Sequence, residues 1–452
     1  MFPLEQVLLV IVATPGLSFL LLGLAWLLGL PLRERLITRL TSTVFLVMLA
    51  ATIYLGWSMF SGNLASVSYR GGSWFEAGEY TFQLDLLADR LSLPLMALDA
   101  LLVGLVGLFS KRYLHREAGF ARFFILLHLF AFGSMLVFAS QSFDLLIGGW
   151  ELVGISSAFL VAFFHQRRDP VRSALHMFCA YKVGDLGLLL AVFVLHFLGG
   201  TADGARLFPG DWPHQSSNLT TTAAALAGLL FLFAASAKSA QVPFFGWLPR
   251  AMEGPTPSSA IFYGAISIHA GAYLLLRIEP ALTASMLAAG AVIAIGSISA
   301  LVGTLMQRVV ADAKSSIAYA AMTQLGIIFV EIGLGYPQLA LIHIIGHATV
   351  RTLQFLRAPS MLHDYHRVHA AAGGHLAATG DHYERLLPES VRLWVYRFAL
   401  DRGFYDALVQ RIAVAPVMGL SRWLGSFEPG AAALKTESAA RVTEQALEET
   451  KA

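Results

Sequence analysis

LIHIIGHATVRTLQFL, residues 341–356, decides how the rest of the chain is read. It places His343, His347 and Arg351 four residues apart within an otherwise apolar segment. On a helix that spacing stacks the three side chains along one face. Charged groups at the centre of a bilayer cost at least about 2.5–3.5 kcal/mol each, so they face a protein interior or a wet path and serve ion movement. The expectation is a membrane protein that moves charge.

The composition agrees. Of 452 residues, 56% are hydrophobic and only 13% are charged, about half the charged share of a soluble globular chain. A net charge of +2 gives no reason to expect a nucleic-acid partner. The single cysteine, Cys179, excludes an intrachain disulfide and any paired-cysteine metal site. The first apolar segment, from Val7 to Leu30, lacks a basic leader and reads as a spanning helix rather than a signal peptide. No nucleotide or flavin motif is present, because the Gly-rich stretches lie within or between spans. The chain reads as a membrane protein that moves charge, with membrane lipid as its surroundings.

About eleven spans of roughly 20 apolar residues follow from hydropathy: 5–30, 38–60, 91–110, 121–140, 143–164, 175–198, 222–246, 257–277, 282–306, 313–333 and 338–357. Alternate loops divide by charge, thirteen basic residues on one side (Arg33 to Lys314) and four on the other (Arg70, Arg90, Arg206, Arg277). The positive-inside rule then puts the N-terminus outside and the C-terminal tail in the cytoplasm of a bacterial inner-membrane protein. The chain divides into 1–80, N-terminal helices and an external loop; 81–280 and 281–360, which a family resemblance implies are a first repeat and a truncated second repeat; and 361–452, a cytoplasmic tail. Within the tail, 388–427 interleaves apolar and charged positions at helical spacing, as a surface-lying helix or a partner's docking segment would. His363, His366 and His369 have no thiolate or fixed carboxylate beside them, so no zinc site is expected there.

Further charges stand inside other spans. Glu151 in the fifth reads either as a proton-carrying carboxylate or as a carboxyl paired to a neighbouring helix for packing. Lys238 in the seventh lies five residues before Pro243, which would break the backbone ladder and free carbonyls to line a polar cavity. Lys182 and Asp185, three apart, can pair along one helix face. His269 is mid-span. Glu331 and Tyr263 are weaker candidates, and Asp144 reads as a cap or a solvated residue.

Five stretches then resemble, in order, one family: GGWELVGISSAFLV (148–161), YKVGDLGLLL (181–190), AKSAQVPFFGWLPRAMEGPTPSSA (237–260), DAKSSIAYAAMTQLGIIF (312–329) and HIIGHATVRTLQFL (343–356). The chain is similar over roughly 80–357 to the antiporter-like proton-pumping subunits, which include subunit L of NADH-quinone oxidoreductase and the MrpA-like component of Mrp sodium/proton antiporters. The resemblance implies an all-α, polytopic fold of inverted repeats with broken helices at mid-membrane. It also implies an ion path for protons or Na+ through Glu151, Lys182, Asp185, Lys238, His269, His343, His347 and Arg351. Three departures stand out: Arg351 where such pumps usually carry lysine, Tyr263 where a histidine is expected, and a chain ending after about eleven spans. With RTLQFLRAPSMLHDYH (351–366), these make it look most like the DabB-type membrane component of Dab inorganic carbon transporters. That resemblance implies a DabA-like cytoplasmic zinc protein as partner, the zinc and the CO2 hydration belonging to the partner, and no cofactor on this chain. The alternative is a subunit of a respiratory or Mrp-type complex. A non-conducting scaffold is a third reading, which gives no reason for the buried charges.

Overall fold

The computed structural model describes residues 3–78, 80–358 and 388–425. Eleven helices in it are long and apolar enough to cross a membrane. They are α1 (Leu4–Leu27), α2 (Glu34–Ser61), α3 (Ser92–Tyr113), α4 (Phe120–Ala139), α5 (Phe143–Val161), α6 (Arg168–Gly199), α7 (Thr221–Lys238), α8 (Thr256–Arg277), α9 (Met286–Val309), α10 (Ala313–Gly333) and α11 (Pro337–Arg357). The described chain divides into two units, one through Arg392 and one from Leu393. The second carries the end of a helix begun at Glu389, then Tyr405–Val409 and Ala415–Gly425, with Trp394, Leu420 and Trp423 exposed. The expected amphipathic segment is therefore helical where it is described. The polar end at 428–452 and the histidines at 363, 366 and 369 lie outside the described residues.

In the first unit, α4 and α8 form the interior. Phe123, Phe124, Phe130 and Phe138 of α4 are fully buried, and the apolar window of α8 is buried throughout. Leu17 and Leu21 on α1 and Leu301 on α9 are exposed, as apolar residues facing lipid should be. Small residues let the central helices close up: a Cβ on Gly149 of α5 would stand 2.7 Å from the Gly133 carbonyl oxygen and the Val137 nitrogen of α4.

Two helices are broken, both at the centre. Sequence reading carries the seventh span to 246, but α7 ends at Lys238. Pro243 cannot continue a helix, since it lacks an N–H and its ring would clash with the carbonyl of Ser239. Ala235 still takes the Ser239 N–H in the last helical bond (2.9 Å), and the carbonyls freed beyond it find other donors: Ser236 takes the Gln241 N–H (2.8 Å) and Ala237 the Trp247 indole (3.0 Å). In α8, a wider turn at Ala260–Ala265 gives way at Ile266 (φ −126, ψ −54) to a tight turn at Ser267–His269 and then to Ala270–Arg277.

Among the described residues, one element is not a helix. The expected external loop holds an antiparallel hairpin, β1 (Ser66–Ala77) with β2 (Tyr80–Asp89), in which Val67 pairs with Ala88 and Ala77 with Tyr80. Its basis is period-two alternation, with Tyr80, Phe82, Leu84, Leu86 and Ala88 sharing one face. The inner end of β2 anchors the bundle. The Asp85 carbonyl accepts the Gln141 N–H at the start of α5 (3.1 Å), and Asp89 pairs with Arg277 at the end of α8 (2.5 Å). Arg277 also donates to the Tyr273 hydroxyl, which donates to the Phe138 carbonyl at 2.8 Å.

Candidate functional site

The break that ends α7 puts Lys238 on its last turn, where the helix dipole favours a cation. Lys238 is 1% exposed. Its Nζ donates to the Trp150 carbonyl of α5 (3.1 Å) and lies over the rings of Tyr181 (4.4 Å) and Trp150 (4.8 Å). Cation–π contact of this kind stabilises an ammonium held away from water. Room for it comes from Gly154, where a Cβ would stand 3.1 Å from Nζ. Among the described residues no carboxylate forms an ion pair with Lys238.

Glu151 pairs with Lys182 of α6. Lys182 also meets Asp185 at 3.0 Å, so the local pair read from sequence makes up two members of a cluster of three. Asp185 then accepts the Trp150 indole N–H at 2.8 Å, and the backbone of Trp150 reaches Lys238. The result is a run of polar contacts from Glu151 through Lys182, Asp185 and Trp150 to Lys238. Both readings of Glu151 meet here, because it is paired to a neighbouring helix and is also the first member of this run. The side chains of Glu151 and Lys182 are 37% and 40% exposed, whereas that of Asp185 is 8% exposed. The run therefore opens on the side of the bundle and closes in its interior.

The two helix breaks meet next to Lys238. Ser239, the following residue, donates to the carbonyl of Ile268 at 2.7 Å. His269 comes next, and its Nε2 lies 2.9 Å from Nδ1 of His347 on α11. His347 Nε2 accepts from Nε of Arg351 at 3.2 Å. A regular helix would point residues 263 and 269 to different faces; the widened turn and the break at Ile266 re-phase α8 so that His269 faces α11. The side chain of Tyr263 lies outside the described residues.

His343 shares the face of His347, their ring centres 6.3 Å apart, but turns away to Glu331 (2.9 Å from Nδ1) and Gln324 (3.1 Å from Nε2) on α10. All eight residues singled out from sequence are thus gathered into two clusters, joined at the Ser239–Ile268 contact. Sequence reading missed Trp150, Tyr181 and Gln324. Trp150 and Tyr181 directly precede Glu151 and Lys182, and an aromatic beside a buried charge was the available signal. Asp144 was expected to cap or to be solvated. Ser142 caps α5 by accepting the Leu145 N–H (3.2 Å), while Asp144 binds His196 Nε2 with both oxygens at 3.0 Å.

Comparison with known proteins fits this architecture. The family profile described as NADH:quinone oxidoreductase/Mrp antiporter, TM, matches residues 139–378, over half of the chain. Residues 74–124 match the N-terminus of complex I chain 5. NADH-ubiquinone oxidoreductase chain 5 of Cryptococcus neoformans is 30% identical over 365 residues, covering 78% of this chain and 54% of that one. NADH-quinone oxidoreductase subunit L of Neisseria meningitidis is 31% identical over 345 residues, covering 72% and 50%. The chain thus spans about half the length of these curated relatives. Among solved structures, the Mrp complex of a Dietzia species superposes with TM-score 0.64 at 27% identity, covering 78% of this chain and 37% of that one. An archaeal membrane-bound sulfane sulfur reductase superposes with TM-score 0.65 at 18% identity over 78% of this chain and 70% of that one, a likeness of fold.

These findings overturn the expected DabA-like zinc partner. The relatives are named as a chain or subunit of NADH:quinone oxidoreductases and as part of an Mrp complex, and inorganic carbon transport loses its support with that partner. A multi-pass membrane protein whose described residues hold eleven helices long and apolar enough to span, two of them broken around buried charges, the chain belongs to the antiporter-like membrane-subunit family of NADH:quinone oxidoreductases and Mrp antiporters.

Proposed function

We propose that this chain is the ion-translocating subunit of an inner-membrane assembly of the complex I or Mrp kind, moving protons, or exchanging Na+ for protons. The observation that carries the reading is the polar run from Glu151 through Lys182, Asp185 and Trp150 to Lys238. Glu151, Lys182 and Asp185 are ionisable neighbours within hydrogen-bond reach and can exchange a proton; Trp150 relays none and holds Asp185 and Lys238 on either side of the remaining step. Lys182, bound by two carboxylates, acts as the fixed cation of the run; Lys238, held by a carbonyl and two rings, acts as its releasable one. The half-exposed Glu151–Lys182 pair would be costly against lipid, which supports a neighbouring membrane subunit on the α5–α6 side. The names of the relatives support the same kind of companion. The loop-charge asymmetry supports an N-terminus outside and a C-terminal unit in the cytoplasm.

Inverted membrane vesicles carrying the expressed assembly test the reading and identify the ion. A pH gradient imposed in Na+-free buffer is expected to be dissipated faster than in vesicles lacking the chain. Dissipation only after Na+ is added would select the exchange mode. Equal rates with and without the chain, in both buffers, would sink the proposal.

The seat of Lys238 gives a second expected result. Gly154→Ala puts a methyl 3.1 Å from Nζ, too close to leave the ammonium where it is. Nζ sits at the end of a flexible side chain and can give way, so the fold should hold. The ion flux should fall several-fold at an unchanged thermal midpoint. Unchanged flux would show that the position of Nζ does not matter.

A further inference from the structure

Arg351 differs in kind from His343 and His347, which share its helix face. A guanidinium donates five hydrogen bonds, accepts none, and keeps its proton. Its Nε–H points at His347 Nε2 (3.2 Å), while Nη1 donates to Gln354 Oε1 (2.7 Å). His347 Nε2 must then present a lone pair, which leaves the ring proton on Nδ1. That nitrogen lies 2.9 Å from His269 Nε2, which must accept. The bonds therefore run one way, from Arg351 to His347 to His269.

We propose that Arg351 is a positioning residue that locks His347 in the Nδ1–H tautomer and so closes the Arg351 end of the histidine pair to cations. Two effects act together. The His347 nitrogen facing the C-terminal end of α11 is occupied by a donor and cannot take up a proton. A cation arriving from that end also meets a fixed positive charge. His343 offers no bypass, since its two nitrogens are engaged by Glu331 and Gln324. Exchange with the pair is left to the His269 side, at the Ser239–Ile268 contact beside Lys238. The tautomer assignment stands on the hydrogen bonds alone; its consequence for transport rests on the function proposed above.

The test is nitrogen NMR of the full chain labelled with 15N-histidine in lipid nanodiscs, His347 being assigned by the signal lost in His347→Gln. The wild type is expected to show His347 protonated on Nδ1. Arg351→Met should lose that signal in favour of Nε2–H, and Arg351→Lys should restore it, because an ammonium also donates. An Nε2–H wild type, or a tautomer indifferent to Arg351→Met, overturns the inference. Vesicle flux separates the two claims: a tautomer that follows Arg351 in a wild type that conducts nothing supports the lock and overturns the transport reading.

Discussion

Replacing Lys238 with alanine is expected to stop ion movement and leave the protein folded in the membrane. The side chain is wholly enclosed, so its loss opens a small space lined by Trp150, Tyr181 and Gly154, next to a carbonyl that has lost a donor. A cost of about 1–3 kcal/mol for such a group leaves a bundle of this size intact. Transport should fall by roughly a hundredfold or more, the scale on which positioned proton-transfer groups act. Lys238→Arg is the sharper variant. It keeps the charge but cannot release a proton, so it should be as inactive as alanine. A working Lys238→Arg protein would mean that only the charge matters and that the group passes no proton.

The second large effect lies in stability. Arg277→Met should destabilise the bundle by about 3–5 kcal/mol, because it leaves the Asp89 carboxylate buried without its cation. The double variant Asp89→Asn with Arg277→Met should lose less than Arg277→Met alone, since no charge is then stranded. The same pair sets an acid limit. Burial alone would raise the Asp89 pKa, but the Arg277 guanidinium and the Ser92 N–H outweigh it and hold the carboxyl below its ordinary value. A depressed carboxyl contributes stability that is full above its unfolded pKa and is lost as pH falls through the folded one. Thermal midpoints of the detergent-solubilised wild type should thus drop as pH falls below about 4, and Asp89→Asn should flatten that part of the profile. Equal pH dependence in the two proteins would remove the pair from the account of acid stability.

The fold was largely legible because the bilayer imposes strict rules. Backbone polarity must be satisfied within each span, so apolar runs of spanning length have one solution, the helix. Pro243 marked the break in α7, although the helix stops five residues earlier, at Lys238, where the chain begins to turn. The hairpin was legible in principle, in the alternation from Tyr80 to Ala88, but hydropathy does not weigh a period of two in a stretch too polar to span. The candidate site was legible as a set of residues and not as a set of contacts. Isolated charges in apolar helices stand out in any sequence; which of them touch depends on helix phase and rotamer. Glu151 meets Lys182 rather than Lys238 because α6 presents Lys182 and Asp185 to α5, with the Trp150 side chain reaching Asp185 and its backbone reaching Lys238. His269 meets His347 only because α8 is wound irregularly before it. The partner was the least legible of all, because it was read from a resemblance and not from the charge or spacing of any residue.

Reconstitution of the purified wild type and Lys238→Ala side by side, with a pH-sensitive dye inside the vesicles and an imposed proton gradient, tests the central claim most directly. The expected result is rapid acidification with the wild type and, with the variant, a rate no greater than that of empty vesicles. Equal acidification by both proteins would contradict it, placing the ion path somewhere other than the Glu151-to-Lys238 run.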